Sequence, residues 1–135
     1  MRLMHIADLH LGAPMRYLGD AAAMRRKERE SSFGKVVDAA LEKADLLIVS
    51  GDLFDTHDPY QALAGMVRSQ LKRLKAGGVE TILVPGNHDE ITYTASTYSD
   101  SSWDSCCTLV RCPKPDVVLD KVVAGERLFI CSCAY

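Results

Sequence analysis

Three short runs of strand-forming residues, Leu3–Ile6, Leu46–Val49 and Thr81–Val84, alternate with longer stretches whose apolar residues recur at helical spacing. That alternation predicts an α/β fold, βαβαβ in order, built on a parallel sheet. In the first long stretch Phe33, Val36, Val37, Ala40, Leu41 and Ala44 fall on one face of a helix. In the second, Leu63, Met66, Val67, Leu71 and Leu74 do the same, and Gly77-Gly78 stand where the helix should end. Both apolar faces are expected to pack on the sheet.

The character of the chain changes after Asp89, where eight of the fifteen residues Ile91–Ser105 are Ser or Thr. Such a composition predicts a loop, with Tyr93, Tyr98 and Trp103 as the residues available to pin it. Further on, Val117–Leu119 and Leu128–Cys131 flank a turn at Ala124-Gly125-Glu126, the pattern of a β-hairpin or of adjacent strands. No linker or repeat divides the chain, so residues 1–135 are expected to form part of one domain.

Each predicted parallel strand is followed by a polar cluster: Asp8-Leu9-His10, Gly51-Asp52-Leu53-Phe54-Asp55 and Gly86-Asn87-His88-Asp89. Ligands of open α/β sheets bind beyond the carboxyl ends of the strands, so the three clusters should converge there. Carboxylates, an amide oxygen and imidazoles suit Mn, Fe, Zn or Mg ions. Asp8 and His10 are separated by one residue, which in an extended segment turns both side chains to the same side. Gly51 and Gly86 permit sharp turns that let Asp52 and Asn87 lean into the same space, with Asp52 the natural bridge.

In this order the segments His5-Ile6-Ala7-Asp8-Leu9-His10-Leu11-Gly12, Gly51-Asp52-Leu53-Phe54-Asp55 and Gly86-Asn87-His88-Asp89 resemble the calcineurin-like metallophosphoesterases. The likeness is greatest to DNA double-strand-break repair nucleases of the bacterial SbcD type, and it covers residues 1–89. It implies the N-terminal half of a two-sheet sandwich and a metal-dependent phosphodiesterase that hydrolyses DNA at a two-metal site. By the same resemblance Asp8 and His10 hold one metal ion, Asp52 bridges two and Asn87 holds the second. His88 is the implied catalytic residue, with Asp89 holding its other ring nitrogen. Asp55, on the loop that follows the second motif, reads from its position as a residue behind the metal ligands. The resemblance further implies two manganese ions, a DNA substrate, a homodimer and an ATPase partner of the SbcC type. A calcineurin-like phosphatase or small-nucleotide phosphodiesterase shares this half-site. Against the protein phosphatases, Asp55 is followed by Thr56-His57 where they carry Arg-Gly.

The family's site is completed by three later histidines, yet none of the four histidines here lies beyond His88. The other two, His5 and His57, are not substitutes. A chain ending at Tyr135 is therefore expected to be a fragment, which also leaves open an inactive folding or dimerisation module. Half of a sandwich should expose an apolar sheet face and self-associate.

The remaining features have plainer readings. A formal charge of −2 gives no whole-chain pull toward nucleic acid or anionic membranes. No apolar run exceeds four residues, far below the ~20 of a membrane helix, so a soluble cytoplasmic protein is expected. The five cysteines, all between Cys106 and Cys133, lack zinc-knuckle spacing and read as reduced thiols. Arg25, Arg26, Lys27 and Arg29 are interrupted by Glu28 and read as a solvated helix face. Asp58 before Pro59 is a candidate helix cap.

Overall fold

A computed structural model describes residues 1–135. Strands β1 (Leu3–Ile6), β2 (Leu46–Ser50), β3 (Glu80–Val84) and β4 (Thr108–Leu109) form a parallel sheet in the order β1-β2-β3-β4. Helix α1 (Ala22–Lys43) joins β1 to β2, and α2 (Gln61–Ala76) joins β2 to β3. The βαβαβ order expected from the periodicity is thus present, extended by a fourth strand of only two residues. Strands β5 (Asp116–Val123) and β6 (Glu126–Ser132) pair antiparallel as the expected hairpin, with Ala124 and Gly125 at positive φ in its turn. No helix is long and apolar enough to cross a membrane.

When each strand is laid down beside its predecessor in parallel, right-handed crossovers bring every connection to the same face of the sheet. That face carries the main core. Phe33, Val37 and Ala40 of α1 and Leu63, Val67, Leu71 and Leu74 of α2 pack there with Leu47, Val49 and Leu83 of the strands. At the end of α2, Gly77 and the left-handed Gly78 turn the chain, and Val79 N–H donates to Leu74 O at 2.9 Å. The start of α2 differs from expectation. Asp58 does not cap it; the helix follows Tyr60 without a side-chain cap, and Asp58 N–H donates to Thr56 Oγ1.

The Ser/Thr-rich segment lacks a long helix but contains two short 3₁₀ turns, Thr97–Ser99 and Ser101–Ser105. It is the third crossover, between β3 and β4, and so must pack on the same face as the helices. Tyr98 and Trp103 are completely buried beside Phe54, with the Tyr98 and Trp103 rings 5.2 Å apart. Trp103 Nε1 donates to Thr97 O at 2.8 Å. Tyr93 does not join them; it is half exposed and stacks on His57 with centroids 4.1 Å apart.

The other sheet face is covered in part by the hairpin, which moves the expected exposed surface elsewhere. Leu46, Ile82, Val110, Leu119, Val123 and Ala134 form a second, smaller core. Leu3 on β1 remains half exposed, and Val122 and Phe129 on the outer side of the hairpin are each 65% exposed. The hairpin thus covers part of the sheet face and displays apolar side chains of its own on its outer side.

If the Ser/Thr-rich crossover is part of the core, Trp103→Ala should cost about 3–5 kcal/mol of stability in urea unfolding. A cost below about 0.5 kcal/mol, typical of a surface position, would contradict this packing.

Candidate metal centre

All three polar clusters lie at the carboxyl ends of β1, β2 and β3, where the parallel register aligns the strand ends. Backbone hydrogen bonds stitch the loops together. Asp8 N–H donates to Gly51 O, His10 N–H to Asp52 O and Leu11 N–H to Leu53 O, at 2.9 to 3.2 Å. Gly51 N–H in turn donates to Val84 O at 2.8 Å, carrying the connection to the third strand.

The convergence of Asp8 and His10 has a different origin from the strand alternation expected. β1 ends at Ile6, and Asp8 (φ 57°) and His10 (φ 45°) are both left-handed, as is Asp52 (φ 50°). Asp and His tolerate this region better than most residues, but it still costs energy and persists only where surroundings over-determine it. The inter-loop hydrogen bonds provide that constraint.

The resulting cluster brings together Asp8, His10 and Asp52, whose candidate ligand atoms lie within 4.8 Å of one another. His10 Nε2 is 3.9 Å from Asp52 Oδ2, while His10 Nδ1 is 3.2 Å from Asp55 Oδ1. Asp55 thus grips one ring nitrogen and leaves the other turned toward Asp52, the way a carboxylate commonly orients a metal-binding histidine. His10, Asp55 and His88 form an overlapping cluster, their candidate ligand atoms also within 4.8 Å of one another. Arg29, outside the three motifs, donates from Nη1 to His10 O at 3.3 Å.

His88 lies against the same carboxylate: its N–H donates to Asp52 Oδ1 at 2.9 Å, and its ring meets that of His10 edge-on at 4.7 Å. Its Nδ1 sits 3.3 Å from Asp55 O. Asn87, beside it, is exposed. Asp89 does not reach the His88 ring as anticipated, because both of its oxygens are engaged elsewhere. Oδ1 accepts from Gly86 N–H at 2.7 Å, and Oδ2 accepts from Tyr98 Oη–H at 2.7 Å and Phe54 N–H at 3.2 Å. Asp89 is wholly buried. Burial first, then the Asp89 carboxylate, pushes the Tyr98 phenol well above its ordinary pKa, so it stays a proton donor. Neither Tyr98 nor Arg29 was identified as a site residue from sequence; each acts through a contact to a distant segment.

The donor set fits a divalent cation: hard carboxylate oxygens and an imidazole, one of the carboxylates nearly buried, with no thiolate. Gly86 protects it. A Cβ there would overlap the Asp52 carboxylate and come within 2.6 Å of Asp52 N.

Comparison with known proteins identifies the family. The profile of the calcineurin-like phosphoesterase family matches residues 1–127, and the chain belongs to that family. The DNA double-strand break repair protein Mre11 of Methanocaldococcus jannaschii is 36% identical over 137 residues, covering 100% of this chain and 35% of that protein. The protein of the same name from Sulfurisphaera tokodaii is 30% identical, covering 85% of this chain and 29% of its own length. The SbcD component of the nuclease SbcCD from Escherichia coli K12 is 30% identical over 67% of this chain and 22% of its own length. The chain therefore spans between 22% and 35% of the length of these relatives. In fold it is similar to the nuclease MPE of Pseudomonas putida, with a TM-score of 0.50 at 24% identity over 84% of this chain and 49% of that one.

Gly86→Ala should destabilise the chain by about 1–3 kcal/mol in urea, because the new methyl meets backbone as well as the Asp52 side chain. Gly34→Ala, which meets nothing within 4 Å inside α1, should instead stabilise by about 0.5–1 kcal/mol. Equal effects at the two glycines would contradict the close approach at Asp52.

Proposed function

We propose that this chain carries the N-terminal part of a metal-dependent phosphodiesterase domain that cleaves DNA phosphodiester bonds at a two-metal site. The observation that supports it most is the juxtaposition of Asp8, His10 and Asp52 with His88 bonded to the same Asp52 carboxylate. The relatives' names, which refer to DNA double-strand break repair and to a nuclease, favour DNA over a small phosphoester.

In this reading Asp8 and His10 would hold one metal ion and Asn87 a second, with Asp52 a ligand available to both. Divalent ions bound there, manganese being our choice, would supply an activated water and neutralise charge on the phosphate. The chain's own residues do the rest. Asp55 holds the His10 ring so that Nε2 is free for the metal. The Asp55 carbonyl receives His88 Nδ1–H and leaves Nε2 to contact a phosphate oxygen or protonate the leaving oxygen. Asp89 is a positioning residue for the Asn87-His88 loop, acting through Gly86, Phe54 and Tyr98. The three later histidines implied by the family pattern occur nowhere in residues 89–135, so this chain holds half of the ligand set. A homodimer, an SbcC-type ATPase partner and a cytoplasmic location complete the proposal.

The test is manganese-dependent hydrolysis of linear DNA and of a small phosphodiester by this chain, by a chain extended with the region its relatives carry, and by each with His88→Ala. The extended chain should cut DNA, lose about 10²–10⁴-fold in kcat with His88→Ala, and leave the 135-residue chain at background. Hydrolysis of the small ester without DNA would favour the phosphatase reading. DNA cleavage by the short chain that His88→Ala removes would refute the need for further histidines. No activity in any form would favour a folding or dimerisation module.

A further inference from the structure

At the opposite end of the sheet from the candidate metal centre, a cavity of about 160 Å³ lies beside the start of β3 and β4. Its walls include Cys106, Cys107 and Thr81. The two adjacent cysteines follow the second 3₁₀ turn, and both are free thiols whose sulfurs converge on one carbonyl, Trp103 O, at 3.2 and 3.6 Å. Consecutive side chains of an extended strand would point apart; the turn brings these together.

Thr81 supplies an independent sign that the cavity receives something. It is only 2% exposed, and its Oγ1 is buried without any hydrogen-bond partner. Buried hydroxyls are almost always paired, and an orphan costs desolvation energy. Thr81 forms part of the cavity wall, so a small polar guest pressed against that wall is the nearest partner its hydroxyl could gain.

We propose that Cys106 and Cys107 form a peroxide-reactive dithiol, with Thr81 Oγ1 hydrogen-bonding the hydroperoxide in the cavity. The Cys106 sulfur attacks one peroxide oxygen, breaking the O–O bond to give a sulfenic acid and releasing hydroxide, which takes up a proton as water. The Cys107 sulfur then attacks the sulfenic sulfur, forming the Cys106–Cys107 disulfide and expelling a second water. Two thiols are oxidised and one peroxide is reduced.

The surroundings assign the roles within the pair. A hydrogen bond from Cys107 brings the Cys106 thiol down to about 7 against the opposing effect of burial, assisted by the cations of Lys72, Arg68 and Lys75. Cys107 is pushed up by the neighbouring sulfur and by burial, so it holds its proton longer and suits the second step. The charged groups nearby are otherwise engaged: Lys75 donates to Ser105 O, Lys121 pairs with Glu80 and Arg111 with Asp104. Cys106 is itself only 2% exposed, and it forms part of the cavity wall, the side from which a small peroxide would reach it.

The experiment is peptide mass spectrometry of the reduced chain after brief exposure to dilute hydrogen peroxide. Cys131 and Cys133 are exposed and serve as internal controls. The Cys106–Cys107 peptide should lose two hydrogens before either exposed cysteine is modified. Cys107→Ser should let dimedone trap a sulfenic acid on Cys106. Thr81→Val, which removes an orphan hydroxyl and should leave the fold intact, should slow the reaction about fivefold, and Thr81→Ser should restore it. Prior oxidation of Cys131 or Cys133, no dimedone adduct on Cys106, or an unchanged rate in Thr81→Val would each overturn the proposal.

Discussion

One buried carboxylate ties together its own loop, the loop after β2 and the start of the crossover that follows. Asp89 receives Gly86 N–H from its own loop, Phe54 N–H from the loop after β2 and the Tyr98 hydroxyl from the crossover that follows. A carboxylate without access to water is tolerable only when its oxygens are satisfied in this way. The arrangement therefore works in both directions: the loops make the burial of Asp89 possible, and Asp89 fixes the loops relative to each other. The position of His88 against Asp52 depends on that junction, since His88 lies next to Asp89 and Asp52 lies two residues before Phe54.

Around this junction the strand order determines which end of the sheet does what. Sequential parallel strands place α1, α2 and the Ser/Thr-rich crossover on one face and leave the other to the hairpin. The carboxyl ends of β1, β2 and β3 then meet in a single polar region, as open α/β sheets generally arrange their sites. Left-handed backbone at Asp8, His10 and Asp52 gathers the donors there. The cysteine pair lies at the opposite end, so its chemistry does not intrude on the carboxylate cluster.

The pattern of apolar residues is enough to locate strands β1, β2 and β3 and the buried faces of both helices, because burial on one side imposes a repeat that a sequence displays. The three polar motifs were legible for a similar reason: each directly follows a strand whose end defines its place. What was not legible depends on contacts between distant segments. The two-residue strand β4 has no period to read. The burial of Tyr98 and Trp103 follows from the crossover's having to cover the sheet, which the Ser and Thr content concealed. The motif suggests Asp89 as a partner for the adjacent His88 ring, but Gly86 N–H in the same loop and two donors brought in by folding, Phe54 N–H and the Tyr98 hydroxyl, claim its oxygens. Spacing alone suggested that Asp8 and His10 converge, although the conformation that achieves it is left-handed and not extended.

The central claim is that Asp8, His10 and Asp52 are preorganised by the loops to hold a divalent cation. The direct measurement is the number of manganese ions bound per chain, read by electron paramagnetic resonance for the natural chain and for Asp52→Ala. The account predicts that the chain binds manganese and that Asp52→Ala, while remaining folded by circular dichroism, loses that binding. Manganese binding that is absent from the natural chain, or unaffected by Asp52→Ala, would contradict it.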